Sequence, residues 1–358
     1  MNTNTSVLIV GAGLSGLSLG YFLKKQQISF QILEASNRVG GRIQTINGKL
    51  NTPMELGATW FAKEHLHLNR LLNELGIEKF KQYRKGTSFF HTEINQKPQE
   101  FEVHPNEPVT YRIAGGTERL IEAIYKQLDP NSIHLNCKAE KMEEKGNQLH
   151  ITSSENMVFE ADYAVICMPP QLIYSSLNFV PSLPDSLLNL LPDVQTWMAG
   201  SIKFVLEFNE AFWRENKHSG MLFSHVGIVT EMYDHTDIEE NKFGFTGFLH
   251  PNASQLSKDQ RKKEVIYYLN QFFGKNINSF VSYEDKIWNA PTLVGNLPLV
   301  PQAHLNNGDA LLKKAYYNGK LFFGGTETSE KFPGYMDSAV ASAYRIVNKI
   351  KENDFEKA

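Results

Sequence analysis

Three glycines near the N-terminus have the spacing that phosphate binding requires. Gly11-x-Gly13-x-x-Gly16 follows the apolar run Val7-Leu8-Ile9-Val10, and Glu34 closes the next apolar run, Phe30-Gln31-Ile32-Leu33. Gly11 permits a tight turn after a strand, Gly13 lets backbone amides approach a pyrophosphate, and Gly16 lets the new helix pack close to the sheet. Leu14 and Ser15 open that helix, so its unpaired N–H groups and positive dipole end face an anion. Glu34, with Ala35 beside it, lies roughly 20 residues on, where an acid accepts hydrogen bonds from a ribose diol. A glycine triplet alone is a common turn. Strand, helix, second strand and terminal acid together predict a dinucleotide site.

The surrounding pattern supplies the elements that would hold it. The chain from Val7 to Leu33 reads strand, helix, strand. Leu68, Leu71, Leu72 and Leu75 make one apolar stripe ended by Gly76, and Leu120, Ile121, Ile124 and Leu128 make another with Thr117 as a candidate N-cap. Residues from Phe80 to Tyr111 keep no sustained period. Short strands are expected between His134 and Phe159, and Tyr163 to Cys167 reads as a buried strand ended by Pro169-Pro170. Ser201 to Phe208 reads as a strand and Gln260 to Phe273 as a helix. The C-terminal part returns to the opening style, with strand Leu321-Phe322-Phe323, turn Gly324 to Thr328 and a helix from Tyr335 to Ile350.

Composition excludes several classes. The 358 residues suffice for two packed units or one large one, and 41% hydrophobic with 21% charged residues is ordinary for a globular protein. A formal charge of −3 gives no pull toward nucleic acid. The two cysteines, Cys137 and Cys167, fall in runs that read as buried strand, which predicts free thiols and a cytoplasmic setting. Polar residues before the first strand and a charged tail predict no leader and no membrane anchor. Neither HExxH, CxxC nor GxSxG in a strand-turn-helix setting occurs, so neither a metal site nor a serine-hydrolase elbow is expected.

Taken together the segments resemble the flavin-containing amine oxidase family, over nearly the whole chain. Val39-Gly40-Gly41-Arg42 is similar to the part of that family's FAD fingerprint in which an arginine meets the pyrophosphate, a fit for a guanidinium fork beside a doubly negative group. Gly324-Gly325-Thr326-Glu327 with Gly334-Tyr335-Met336 resembles its C-terminal signature. The resemblance also assigns Gly57, Ala58, Thr59, Ala139 and Trp288 to the cofactor. Met198-Ala-Gly-Ser-Ile-Lys203, before Phe212-Trp213, matches the setting of the family's catalytic lysine, and Tyr335 matches one wall of the aromatic cage that guides the amine nitrogen. A buried Lys203 would have a lowered pKa, because desolvation disfavours the ammonium. The chain departs from the family between Trp288 and Pro298, which hold neither the second cage tyrosine nor the cysteine that tethers FAD covalently in monoamine oxidases. FAD is therefore expected to be non-covalent. Trp60, Phe61, Phe223, Phe248 and Phe332 are candidate pocket aromatics.

The resemblance implies an α/β fold with a Rossmann-like FAD domain from residues 1–79, 115–192 and 291–358, and an inserted α+β substrate domain from 80–114 and 193–290. It implies an FAD-dependent amine oxidase. The carbon beside a neutral nitrogen would pass hydride to flavin N5, and O2 would reoxidise the flavin with release of H2O2. The alternative is a desaturase or dehydrogenase acting on a larger apolar substrate, of the carotenoid or porphyrinogen type. Substrate identity and oligomeric state stay open.

Overall fold

A computed structural model describes residues 3–289 and 297–357. The apolar run after the polar N-terminus forms strand Thr3–Val10, whose residues Val7, Leu8 and Ile9 are fully buried. It lies inside an eight-stranded sheet, with Phe30–Leu33 on one side and Val158–Ile166 on the other, both parallel to it. Leu321–Phe323 pairs in parallel with Val158–Ile166. In register, Val10 sits opposite both Leu33 and Ile166, and Ile166 opposite Phe323. The carboxyl ends of these strands are therefore level. The chain leaves Thr3–Val10 toward one neighbour and comes back on the other side, which opens the crevice where α/β sheets bind ligands.

Helix Leu14–Lys25 packs on the sheet beside Glu118–Gln127 and Met336–Lys357. Their buried faces, including Leu17, Ile121, Val340 and Ile346, form one core with Val7, Ile9 and Val165. The opposite face is covered by a second core around Leu8, Met142, Ile151 and Phe323.

A second, seven-stranded sheet runs in the order Ser282–Ile287, Ile202–Phe208, Phe243–Leu249, Val229–Asp234, His218–Ser224, Thr87–His91 and Gln99–Glu102. Helix Lys258–Phe273 lies against it; the capping box of Ser257 and Gln260 starts this helix before the expected Gln260. Every residue of Ile202–Phe208 is buried, and the two-residue strand period divides them. Ile202, Phe204, Leu206 and Phe208 join the helix-side core, so Lys203 and Val205 point away from it, Val205 toward Met54 and Leu56.

Several expectations change. The segment from Phe80 to Tyr111 is not irregular but carries strands Thr87–His91 and Gln99–Glu102 and parts of Lys79–Lys81 and Thr110–Ile113. Thr117 makes no side-chain cap. Glu55 accepts from its N–H, and Thr45 Oγ1 accepts from Glu118 N at 3.0 Å. Cys137 and Cys167 sit in loops just outside the strands, both as free thiols.

The tightest local constraint is at Gly16, where a Cβ would lie 1.9 Å from the Gly11 carbonyl oxygen. Gly16→Ala is expected to lower stability by about 2 kcal/mol, within the range for overpacking. It should also lower the flavin retained per polypeptide. Urea unfolding and the visible absorbance of the purified variant check both.

Candidate active site

The glycine turn, the C-terminal turn and one face of the seven-stranded sheet border a single cavity of about 1010 Å³. At its dinucleotide end, Gly13 precedes helix Leu14–Lys25 with no side-chain cap, so the first helical N–H groups are not used by a neighbouring side chain. Gly40 N donates to Ala12 O at 2.9 Å, and a Cβ on Gly41 would lie 3.1 Å from Gly13 Cα. The two glycine loops thus close against each other, and Arg42 borders the same cavity as the helix start at Leu14 and Ser15. The Glu34 carboxylate accepts from Ala12 N at 2.7 Å and from Ser36 N at 2.9 Å. Arg42 Nη1 pairs with Glu327 Oε1 at 2.7 Å, linking the fingerprint to the C-terminal turn. Buried Thr326 Oγ1 has no hydrogen-bond partner among the described residues. Uncapped amides, a guanidinium and an unpartnered hydroxyl fit the pyrophosphate and polyol of FAD.

At the other end stands Lys203, 1% exposed. Its ammonium donates to Gly57 O at 2.7 Å and to Thr59 Oγ1, and lies 4.7 Å from the Trp60 ring centre. Burial pushes its pKa from 10.5 down to about 7, against the carboxylates of Glu55 and Glu231, which hold it up. Burial likewise pushes the Glu55 carboxyl up from its ordinary range, while the Lys203 charge opposes that shift. Lys286 is opposite Lys203 in register, its Nζ 3.9 Å over the Trp288 ring, and burial lowers its pKa to about 8. Trp288 Nε1 donates to Leu56 O at 2.7 Å. On the other side of Lys203 the same cross-strand row continues through Phe248 to Glu231.

Tyr335, 39% exposed, borders the cavity with His65 edge-on to its ring at 5.1 Å. Trp197 stands nearly parallel to it, with ring centres 6.4 Å apart and planes 23° apart, and His304 stacks behind Trp197 at 4.4 Å. Gly334 makes this possible: a Cβ there would lie 2.4 Å from Trp197 Cβ.

Of the residues singled out from sequence, the cavity gathers Gly11, Gly13, Leu14, Ser15, Glu34, Ala35, Gly41, Arg42, Gly57, Ala58, Thr59, Ala139, Lys203, Trp288, Gly325, Thr326, Glu327, Tyr335 and Met336, with Trp60, Phe61, Phe248 and Phe332. Two fall outside it. Gly16 packs against Gly11, as its spacing implied, and Phe223 is edge-on to Tyr233 at 5.8 Å, away from the lining. The segment without the cage tyrosine and the tethering cysteine lies, over residues 290–296, outside the described residues. Sequence reasoning missed Trp197, Lys286, Glu231 and Tyr233. Only the register across strands brings the last three to the site, and no local signal carries that. Among the described residues no group of three His, Cys, Asp or Glu side chains could hold a metal ion. No helix among them is long and apolar enough to cross a membrane.

A dinucleotide crevice joined to a sheet-floored cavity with a buried lysine defines a flavin-dependent oxidoreductase. The profile of the family "flavin containing amine oxidoreductase" matches residues 14–111 and 96–351, so the chain belongs to that family. It is 22% identical to a probable flavin-containing monoamine oxidase A of Dictyostelium discoideum, over 98% of each chain. It is 21% identical to flavin-containing amine oxidase A of Sus scrofa, over 96% of this chain and 84% of the other. Cyclohexylamine oxidase from Brevibacterium oxydans has the same fold, with a TM-score of 0.86 and 18% identity over 98% of this chain and all of that one. A putrescine oxidase bound to putrescine matches with a TM-score of 0.84 and 19% identity over 98% of this chain and 100% of that one. The protein is thus an FAD-dependent amine oxidase, and the desaturase alternative is not favoured.

The depressed pKa of Lys203 links stability to pH. Below about 7 the folded and unfolded chains both hold this proton, and above about 10.5 neither does. Between these values only the unfolded chain holds it, so raising pH favours the fold. Lys203→Met removes that dependence. The stability of the variant relative to wild type is therefore expected to fall as pH rises through this window, as thermal unfolding at a series of pH values would measure.

Proposed function

We propose that this enzyme oxidises a small amine with non-covalently bound FAD and returns the electrons to O2. Bound FAD supplies the acceptor for a hydride from the carbon beside the amine nitrogen, and O2 takes up the electrons as H2O2. The observation that carries the reading is Lys203, a buried amine held by Gly57 and Thr59 in the cavity that also contains the glycine cradle. With its pKa near 7 it can hold a water or a proton at Nζ at neutral pH. The Leu14, Arg42 and Thr326 groups would hold the dinucleotide, and Glu34 the ribose. The stretch from Trp288 to Pro298 contains no cysteine, and Cys167 lies 3.6 Å from Ser15 Oγ at the dinucleotide end, which supports non-covalent attachment. Free thiols support a reducing, cytoplasmic setting. The eight-stranded sheet and its helices serve the cofactor (residues 1–79, 115–192 and 291–358), while 80–114 and 193–290 shape the substrate side. The names of the structural neighbours, oxidases of putrescine and cyclohexylamine, support a small aliphatic amine.

Titrating amines anaerobically into the purified yellow protein tests this. An amine is expected to bleach the flavin, and air to restore the colour with peroxide; a spectrum that no amine bleaches would overturn the reading. Lys203→Met is expected to slow reoxidation much more than it weakens FAD binding, and equal losses in both would remove the role given to Lys203.

Trp197 takes the place of the missing cage wall. Its gap to Tyr335 is within about 1 Å of what a nitrogen needs between two aromatic faces, ~7 Å. Trp197→Leu is expected to slow anaerobic flavin reduction about tenfold by misplacing the amine, and Trp197→Phe to keep most of the rate. Stopped-flow absorbance at saturating amine measures it.

A further inference from the structure

Four strands of the substrate-side sheet place Lys286, Lys203, Phe248 and Glu231 in one row, each directly opposite the next. Directly opposed residues share a sheet face, and neighbouring strands are about 4.8 Å apart, so Glu231 stands two spacings, roughly 9.6 Å, from Lys203 along the cavity floor. A bulge creates this alignment. Val229 pairs with Leu249 and Glu231 with Phe248, so Thr230 is the extra residue, and its hydroxyl bonds Phe248 O at 3.1 Å. Without the extra residue the threonine would face Phe248, and the acid would turn to the other side of the sheet.

The Glu231 carboxylate borders the cavity and forms no ion pair among the described residues; it accepts one hydrogen bond, from the Tyr233 hydroxyl. Neither lysine of the row pairs with it directly, although its charge is felt at Lys203. The Lys203 ammonium is committed to Gly57 and Thr59, and that of Lys286 to Gln44. Phe248 lies opposite it, Tyr233 bonds it, and the Trp60 ring centre is 4.8 Å from that of Tyr233 and 6.2 Å from that of Phe248. An acid outside any ion pair, beside aromatic faces and at a fixed distance from the reacting end, is a receptor for an organic cation.

Resting on the amine-oxidation reading, we propose that Glu231 binds a second positive charge on the substrate, so that the enzyme selects diamines or other amines carrying a distal cation over monoamines of the same length. The amine to be oxidised lies toward Lys203 and Tyr335, the methylene chain crosses Phe248, and the distal ammonium donates to Glu231.

The test compares α,ω-diamines with monoamines of matched chain length on the holoenzyme, by kcat/KM and by the rise in Tm each ligand produces. Wild type is expected to prefer the diamine by about tenfold or more, the scale of a hydrogen bond to a charged group. Glu231→Gln should abolish that preference. Glu231→Asp, which withdraws the carboxylate by one methylene, should keep it while moving the best diamine to a chain about one carbon longer. Equal use of matched monoamines by wild type, or a preference that survives in Glu231→Gln, would overturn the subsite and leave amine oxidation standing. A diamine that raises Tm through Glu231 yet never bleaches the flavin would uphold the subsite and overturn the oxidation reading. If Glu231→Gln does not fold, the chain-length shift in Glu231→Asp decides, and an unchanged optimum there counts against the proposal.

Discussion

The burial of one amine organises this molecule. Removing the Lys203 charge from water is costly, and the site tolerates it because Gly57 and Thr59 accept its hydrogen bonds, aromatic faces surround it and its pKa falls far enough for the neutral form to share the population. These contacts tie two other pieces of chain, residues 57–60 and the strand of Phe248, to the strand Ile202–Phe208. The segment around Gly57 has to approach that strand closely, and a Cβ on Gly57 would meet the Arg42 carbonyl at 2.4 Å. Through this contact the arginine loop and the lysine strand are held at one distance, and with them the two ends of the cavity.

The parallel sheet meets the same requirement from the other side. Its level strand ends bring the first glycine turn and the C-terminal turn together, although Gly11 and Gly325 are far apart in sequence. Ser15 and Ser342 hydroxyls both accept from Gly325 N, at 3.0 and 3.1 Å, so the first and last helices meet at that amide. The cradle is assembled from both ends of the chain, which leaves the middle of the chain free to build the substrate face.

How much of this was readable in advance depended on whether the determinant was local. Gly11 and Gly325 adopt φ of +104° and +103°, a demand on the residue itself that glycine advertises in any sequence. The strand of Lys203 was equally plain from its apolar run. The strands Val229–Asp234 and Phe243–Leu249 were not, because Gly244, Gly247 and the bulge at Thr230 break the alternation that marks a strand. Thr117 looked like a helix cap by type and place, but Thr45, more than seventy residues away in sequence, takes the helix's first amide, and the Glu55 carboxylate takes the N–H of Thr117 itself. Glu231 belongs to the site only through the pairing of its strand, a long-range fact. Trp197 needed both the stacking of His304 and the missing side chain of Gly334, neither of which its neighbours in sequence announce.

The hydrogen bonds of Glu34 have a thermodynamic meaning of their own. Its carboxylate is pinned by Ala12 and Ser36 before any ribose arrives. The rotamer freedom of that side chain is thus surrendered when the chain folds, not when the cofactor binds. Association then bears less of the ordering cost, and the dinucleotide meets a rigid acceptor whose orientation is already chosen. The same contacts bridge the first and second strands of the cradle, so the features that make the acid a ready receptor also stiffen the fold at the point where it receives its cofactor.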